Sequence, residues 1–270
     1  MVPASLDFAY PWWLSHGHVV LALAFGVVLA AAVYWSWRPW LRGVLMGLTL
    51  WAVAGSVVML QFNARGVPPL PSADYLRRDG GARVLDIGAG TGRSSIMVLR
   101  ERPGATLVAF DQFGESFAHH FGVTGRPEYR LLANLRAAGV ADRATVESGD
   151  MRALPFDDAS FDAVVSAYAM DHVGADGARR ALAEAHRVLE PGGEFLLMLV
   201  HNNVWTTIAF GPLLSHGGLR GPDWWRREVT AAGFDVIEEG TRLGTLFFLL
   251  EKAGKGSGAP RLGLSGVPWG

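Results

Sequence analysis

Two long stretches of the chain carry no charged side chain: residues 19–37 and residues 43–64. Each is about the 20 residues a helix needs to cross roughly 30 Å of hydrocarbon at 1.5 Å per residue. Tyr10, Trp12 and Trp13 precede the first stretch, and Tyr34, Trp35, Trp37 and Trp40 close it. Amphipathic rings at both ends of an apolar run match the two faces of a bilayer. The pattern predicts a two-helix transmembrane hairpin over residues 1–63, with helices at about 14–37 and 43–63. Arg38-Pro39-Trp40-Leu41-Arg42 reads as the tight polar turn between them. Gly43, Gly47 and Gly55 would let the second helix approach Ala22, Gly26 or Ala30 of the first. A re-entrant anchor is the alternative. A signal peptide is disfavoured, because residues 1–18 contain no Lys or Arg.

The pattern then changes. Residues 64–72 are proline-rich and read as a stiff linker. Beyond them, short apolar runs alternate with amphipathic stretches. Strands are expected at 83–87, 106–110, 144–148, 161–167, 194–200, 235–239 and 245–251. Helices are expected at 92–102, 128–138, 177–189 and 223–232. Unbroken apolar runs such as residues 195–200 suit parallel strands covered on both faces. The expected class is α/β: a Rossmann-like, seven-stranded, mostly parallel sheet with helices on both faces, over residues 73–252. Its ligand crevice should lie at the carboxyl ends of the strands. Residues 204–214 are apolar and fall in a loop region after the fifth strand. A substrate lid, a membrane-contacting patch and a short core helix all fit them. Residues 253–270, with six glycines and two prolines, read as a disordered tail.

Composition sharpens this division. Half of the 270 residues are apolar and the mean hydropathy is +0.22, high for a water-soluble enzyme. Yet residues 1–62 hold only three charged side chains, Asp7, Arg38 and Arg42, while about 22% of the rest are charged, near the globular norm. The apolar excess is therefore local. A net charge of −1 leaves no electrostatic footprint for a nucleic acid. The absence of cysteine excludes disulfides, thiolate metal sites and a cysteine nucleophile. His119 and His120 are adjacent, poor spacing for joint ligation, so no metal site is expected. His16 and His18 are expected to meet headgroups at the bilayer face.

The strongest local signal is Val84-Leu85-Asp86-Ile87-Gly88-Ala89-Gly90-Thr91-Gly92. An apolar strand runs into alternate glycines and then a helix, which allows a sharp turn and close backbone approach to a ligand. The acidic residue before the glycines and the G-x-G-x-G spacing differ from the dinucleotide fingerprint. The stretch resembles motif I of the class I S-adenosylmethionine-dependent methyltransferases. Further matches follow in order: Val108-Ala109-Phe110-Asp111, Gly149-Asp150-Met151, Phe161-Asp162-Ala163-Val164-Val165-Ser166, His186-Arg187-Val188-Leu189-Glu190-Pro191-Gly192-Gly193 and Ala232-Gly233-Phe234. The resemblance spans roughly residues 80–252 and is greatest to the small-molecule subgroup similar to quinone-biosynthesis methyltransferases. It implies S-adenosylmethionine as cofactor. It places Asp86, Gly88, Ala89, Gly90 and Gly92 around the cofactor, Asp111 with Gln112 at the ribose, Asp150 and Met151 at the adenine, and Ser166 on the fourth strand. The chain lacks the Asp/Asn-Pro-Pro-Tyr/Phe of nucleobase amine methylation, and its loop 112–127 is longer than the subgroup's.

Methyl transfer needs mainly alignment, and a base only when the acceptor must lose a proton. Tyr168, Asp171 and His172 follow the fourth strand; His201 and Asn202 follow the fifth. A histidine titrates near neutrality, and Asp171 is placed to orient His172. The plainer alternative is that Asp171 caps a helix and His172 packs or touches cofactor. The combined expectation is a membrane-anchored methyltransferase for a lipophilic or membrane-associated small molecule. The lipid bilayer is its other partner, and no nucleic acid is involved. Because the cofactor is cytosolic, the domain should face the cytoplasm from the inner membrane. The alternative is a non-catalytic cofactor-binding assembly or regulatory protein.

Overall fold

A computed structural model describes residues 6–63, 66–76, 81–114, 127–201, 203–210, 220–242 and 244–254. His119, His120, Asn202, residues 211–214 and the expected tail from 255 onward lie outside the described residues, as do residues 64–65 of the linker.

The two N-terminal apolar stretches form α1 (Trp12–Tyr34) and α2 (Pro39–Phe62). The helices are offset from the expected 14–37 and 43–63. Pro39 opens α2 rather than lying in the turn, because its fixed φ and missing N–H suit the first helical position. The turn is residues 35–38, with Ser36 at φ 53°. Asn63 closes α2 at φ 47°, a left-handed cap that asparagine tolerates.

The helices pack together, but not through the glycine pair the spacing suggested. Gly26, Gly43 and Gly47 each have nothing within 4 Å of where a Cβ would sit. The close approach is at Gly55, where a Cβ would overlap the His18 ring. That ring also lies edge-on to Trp51 at 5.2 Å. His18 is thus an interhelical packing residue and not a headgroup ligand, and His16 hydrogen-bonds within α1 to the Trp12 carbonyl (3.3 Å). The outer surfaces are apolar: Leu23, Val27, Leu50 and Leu60 are all more than 60% exposed. By length and composition both helices suffice to cross a membrane.

The remaining elements alternate: β1 (Arg83–Ile87), α3 (Arg93–Glu101), β2 (Thr106–Asp111), α4 (Pro127–Ala137), β3 (Ala144–Ser148), β4 (Phe161–Ala167), α5 (Gly174–Val188), β5 (Leu189–Val200), α6 (Val204–Phe210), α7 (Pro222–Ala231), β6 (Phe234–Arg242) and β7 (Thr245–Lys252). The strands form one sheet in the order β3-β2-β1-β4-β5-β7-β6. All neighbours are parallel except β7, which runs antiparallel between β5 and β6. Each face of the sheet has its own core. Leu182, Ala185, Trp225 and Val229 of α5 and α7 pack on one face. Ile96, Leu99, Leu131 and Leu135 of α3 and α4 pack on the other.

β5 begins five residues earlier than the expected 194. Leu189 pairs with Phe161 and Glu194 with Ala163, so the Pro-Gly-Gly between them is a bulge inside the ladder. The described part of the linker is docked: Leu70 is buried, its N–H bonded to Glu101 (3.0 Å), and Ser72 bonds to Glu238. Residues 204–210, expected within a loop region, are helical and lie against α2, where Ala209 meets Val58 and Met59.

Candidate active site

The carboxyl ends of β1, β2 and β4 open onto a cavity of about 540 Å³, the position the strand order dictates. β1 enters it through the glycine turn. Gly88 and Ala89 both donate to the Phe110 carbonyl (2.8 and 3.1 Å), and Gly90 donates to the Asp111 carboxylate (2.9 Å). Gly88 is at φ 79°, and a Cβ there would overlap that of the adjoining Ala169. The glycine therefore supplies both the backbone conformation and the close approach of this turn to Ala169.

Of the expected cofactor residues, Gly88, Ala89, Gly90, Asp111, Gln112, Asp150 and Met151 line the cavity. Asp111 receives Gly90 N–H on Oδ2 and Phe113 N–H on Oδ1 (2.9 Å each). Burial raises its pKa, and those amides pull it back. Each carboxylate oxygen keeps a second lone pair for a ligand hydroxyl. Asp150 is held by Arg152, whose guanidinium reaches both oxygens (2.6–3.0 Å). That pairing lowers the Asp150 pKa.

Asp86, Gly92 and Ser166 do not form the cavity wall. Asp86 is fully buried behind the turn and accepts from the Ser94 and Ser95 hydroxyls (2.7 and 2.5 Å), all on Oδ2. Its Oδ1 has no partner among the described residues. Burial raises its pKa from 3.8 to about 6. Gly92 caps α3 against Leu131, and Ser166 bonds to the Ile87 carbonyl (2.8 Å), tying β4 to β1.

Among the catalytic candidates, Tyr168 and His172 line the cavity, and Asp171 and His201 do not. Tyr168 sits at φ 54°, a strained value for a non-glycine residue. Its hydroxyl bonds to Thr245 (2.6 Å), and burial raises its pKa. Its hydroxyl is thereby held against Thr245 at the cavity wall. The Asp171 side chain is buried, with the Val200 N–H on Oδ2 (3.3 Å) and Oδ1 3.9 Å from His172 Nε2. Burial raises the Asp171 pKa, and His172 opposes the rise. The His172 ring is mostly exposed to the cavity mouth. His201 extends the edge of β5, its N–H on the Gly244 carbonyl (2.7 Å), which carries it away from the cavity.

The structure adds residues that the sequence pattern did not mark. Phe8, Tyr10, Pro68, Arg93, Met97 and Met198 also line the cavity. Residues 6–11 cross the domain as a strap. Asp7 and Asn134 exchange two hydrogen bonds (2.8 Å each), Asp7 pairs with Arg130, and Thr91 donates to the Phe8 carbonyl (3.2 Å). Phe8 is 4% exposed. Arg93 opens α3, an unfavourable place for a cation beside a helix N-terminus. Its guanidinium instead caps the far end of α2, donating to Phe62, Asn63 and Gly66 carbonyls (3.0–3.3 Å), and faces the rings of Tyr10 and Phe62. An arginine misplaced by the helix-dipole rule was the one sequence signal for this latch.

Residues 84–193 match a family profile described as a methyltransferase domain. The ubiquinone/menaquinone biosynthesis C-methyltransferase of Paracoccus denitrificans is 35% identical over 125 residues, 46% of this chain and 45% of that protein. A demethylmenaquinone methyltransferase of Thermus thermophilus is 34% identical over 116 residues, 43% of this chain and 46% of that one. The chain spans about half the length of the curated relatives it matches. A solved S-adenosylmethionine-dependent methyltransferase from Methanosarcina mazei has a TM-score of 0.54 at 18% identity, covering 70% of this chain and 100% of that one. That likeness is one of fold.

Proposed function

The chain carries a class I S-adenosylmethionine-dependent methyltransferase domain, and from that premise we propose that the whole protein methylates a lipophilic small molecule while α1 and α2 hold it in a bilayer. The observation that carries this reading is the composition of the cavity wall. Its lining combines the glycine turn, Asp111 and Asp150 with the apolar and aromatic side chains of Phe8, Tyr10, Met97 and Met198. Among these, Tyr10 meets the end of the apolar hairpin through the Arg93 latch.

The cradle fits S-adenosylmethionine on two grounds. Gly88 is at φ 79°, and a Cβ there would collide with Ala169 of the cavity lining, so the turn has no room for a side chain; a buried carboxylate oxygen of Asp86 behind the turn has no partner among the described residues, where a cationic ligand is favoured. When bound, the cofactor supplies a sulfonium-activated methyl group. The chain's own part is placement. Asp111 offers acceptor lone pairs to ribose hydroxyls, Gly88 and Gly90 admit the ligand against the backbone, and Asp150 with Met151 borders the adenine end. His172, beside buried Asp171, is the group placed to hold an acceptor proton.

Both ends of the hairpin meet the domain: residues 6–11 bind α4 and the glycine turn, and the end of α2 binds Arg93. The domain therefore lies on one side of the bilayer, and a cytosolic cofactor makes that side cytoplasmic. The named relatives act in quinone biosynthesis, which makes a quinone-type lipid the first acceptor to try. The full chain in phospholipid nanodiscs, given demethylmenaquinone and methyl-labelled cofactor, should label the lipid extract. Cofactor binding by calorimetry without label in any of a panel of quinone, phenol and fatty-acid lipids would defeat the proposal in favour of a non-catalytic cofactor-binding protein.

Asp111→Ala is expected to weaken S-adenosylhomocysteine binding roughly 10- to 100-fold, the worth of charge-assisted hydrogen bonds lost to both ligand and glycine turn. Titration calorimetry reads this; a folded variant of undiminished affinity would remove Asp111 from the ribose site.

A further inference from the structure

We propose that α6 lies inside the cytoplasmic leaflet, its outer face against phospholipid acyl chains. This rests on the reading of α1 and α2 as membrane-spanning. The argument is one of depth. Trp51 precedes Phe62, the last residue of α2, by 11 residues, about 16 Å along a helix axis. That is half of a hydrocarbon core roughly 30 Å thick. Trp51 Nε1 donates to the Ile208 carbonyl of α6 (2.9 Å), and nearer the domain Val58 and Met59 enclose Ala209. The catalytic domain thus sends a helix down beside the half of α2 that runs from the bilayer centre to the cytoplasmic face.

Several polar groups of α6 have the protein partners that medium demands. In hydrocarbon each backbone N–H and C=O needs a protein partner. Asn203 Oδ1 accepts from the N–H groups of Trp205 and Thr206 (2.9 and 3.1 Å), and the Thr206 hydroxyl accepts from the Asn203 N–H (2.8 Å). This closes the first turn on itself. At the other end, Ile208 would have an orphaned carbonyl of the last turn, and the Trp51 indole answers it. Val204 and Trp205 are 62% and 46% exposed, and Thr207 beside them is uncharged. No Asp, Glu, Lys or Arg occurs between Glu194 and Arg220. β5 precedes α6 and contributes Met198 to the cavity wall, so the element after a cavity strand stands in the phase that dissolves a lipophilic acceptor.

The cysteine-free chain allows a direct test. Val204→Cys and Trp205→Cys, at exposed positions, are each labelled with a nitroxide in vesicles of phosphatidylethanolamine and phosphatidylglycerol. Val53→Cys on the outer face of α2 and Arg100→Cys, an exposed position near the end of α3, are the lipid and water references. Power saturation with oxygen and with a water-soluble nickel complex should place 204 and 205 with Val53, several-fold more accessible to oxygen than to nickel. Labels at 204 and 205 that match Arg100, while Val53 stays lipid-like, overturn the proposal for α6 alone. A Val53 label that itself matches Arg100 overturns the membrane reading and the proposal together.

Discussion

Gly88→Val is expected to reduce S-adenosylhomocysteine affinity at least about 100-fold, equivalent to some 3 kcal/mol. Two costs combine. Gly88 sits at φ 79°, where a β-branched residue is strained by about 1–3 kcal/mol. The new Cβ would also overlap Ala169, forcing the β1 and β4 turns apart where they flank the cavity. Valine fills the surface along which the ligand approaches, so binding should fall further than stability. Calorimetry beside a thermal melt separates the two. A variant that melts near the native temperature and binds undiminished would show that the ligand does not cross this turn.

Asp86→Asn is expected to abolish a pH dependence. The Asp86 carboxyl is raised from 3.8 to about 6 in the folded domain, chiefly by burial. Between those values the folded state holds a proton that the unfolded state has released. Stability therefore falls as pH rises from about 4 to about 6, then levels. The ionised domain carries a cost on the order of 3 kcal/mol. A bound cation would offset that cost, so affinity for S-adenosylmethionine should increase as pH rises through about 6. Asparagine can keep an acceptor for Ser94 and Ser95 but cannot ionise. Melting temperatures of the variant should lose the decline over that window, and cofactor affinity should lose its rise. Persistence of both slopes in the variant would assign them to other groups.

The sheet was largely legible because its strands are read locally. Residues 83–87, 144–148 and 161–167 form strands over the expected bounds; the first and third are mostly buried apolar runs, while the partly exposed edge strand at 144–148 is carried by its β-branched Thr145 and Val146. The bulge at residues 190–193 was not, because Pro-Gly-Gly signals a turn whether or not the ladder resumes beyond it. The binding half of the site was legible where chemistry is bound to one segment, as at Gly88–Gly90 and Asp111. Phe8 and Tyr10 were not, because their place depends on Asn134 and Arg93, far along the chain. Tyr10 carried the pattern of an interfacial ring and proved also to be a cavity wall. Gly55, third of the glycines on its helix face, made the interhelical contact that Gly43 and Gly47 did not. Spacing identifies a face but not which point of it the partner helix crosses.

The strap has a consequence for how the protein is made. Asp7 and its partner Asn134 are 127 positions apart. At about 5–20 residues per second of synthesis, the strap is made roughly 6–25 s before its docking site exists. The hairpin behind it can be handed to the insertion machinery in that interval, when no folded domain yet stands beside it. Closure of the cavity wall is then a late event in biogenesis. A ribosome-stalled chain ending before α4 should already be anchored while its strap remains open to protease.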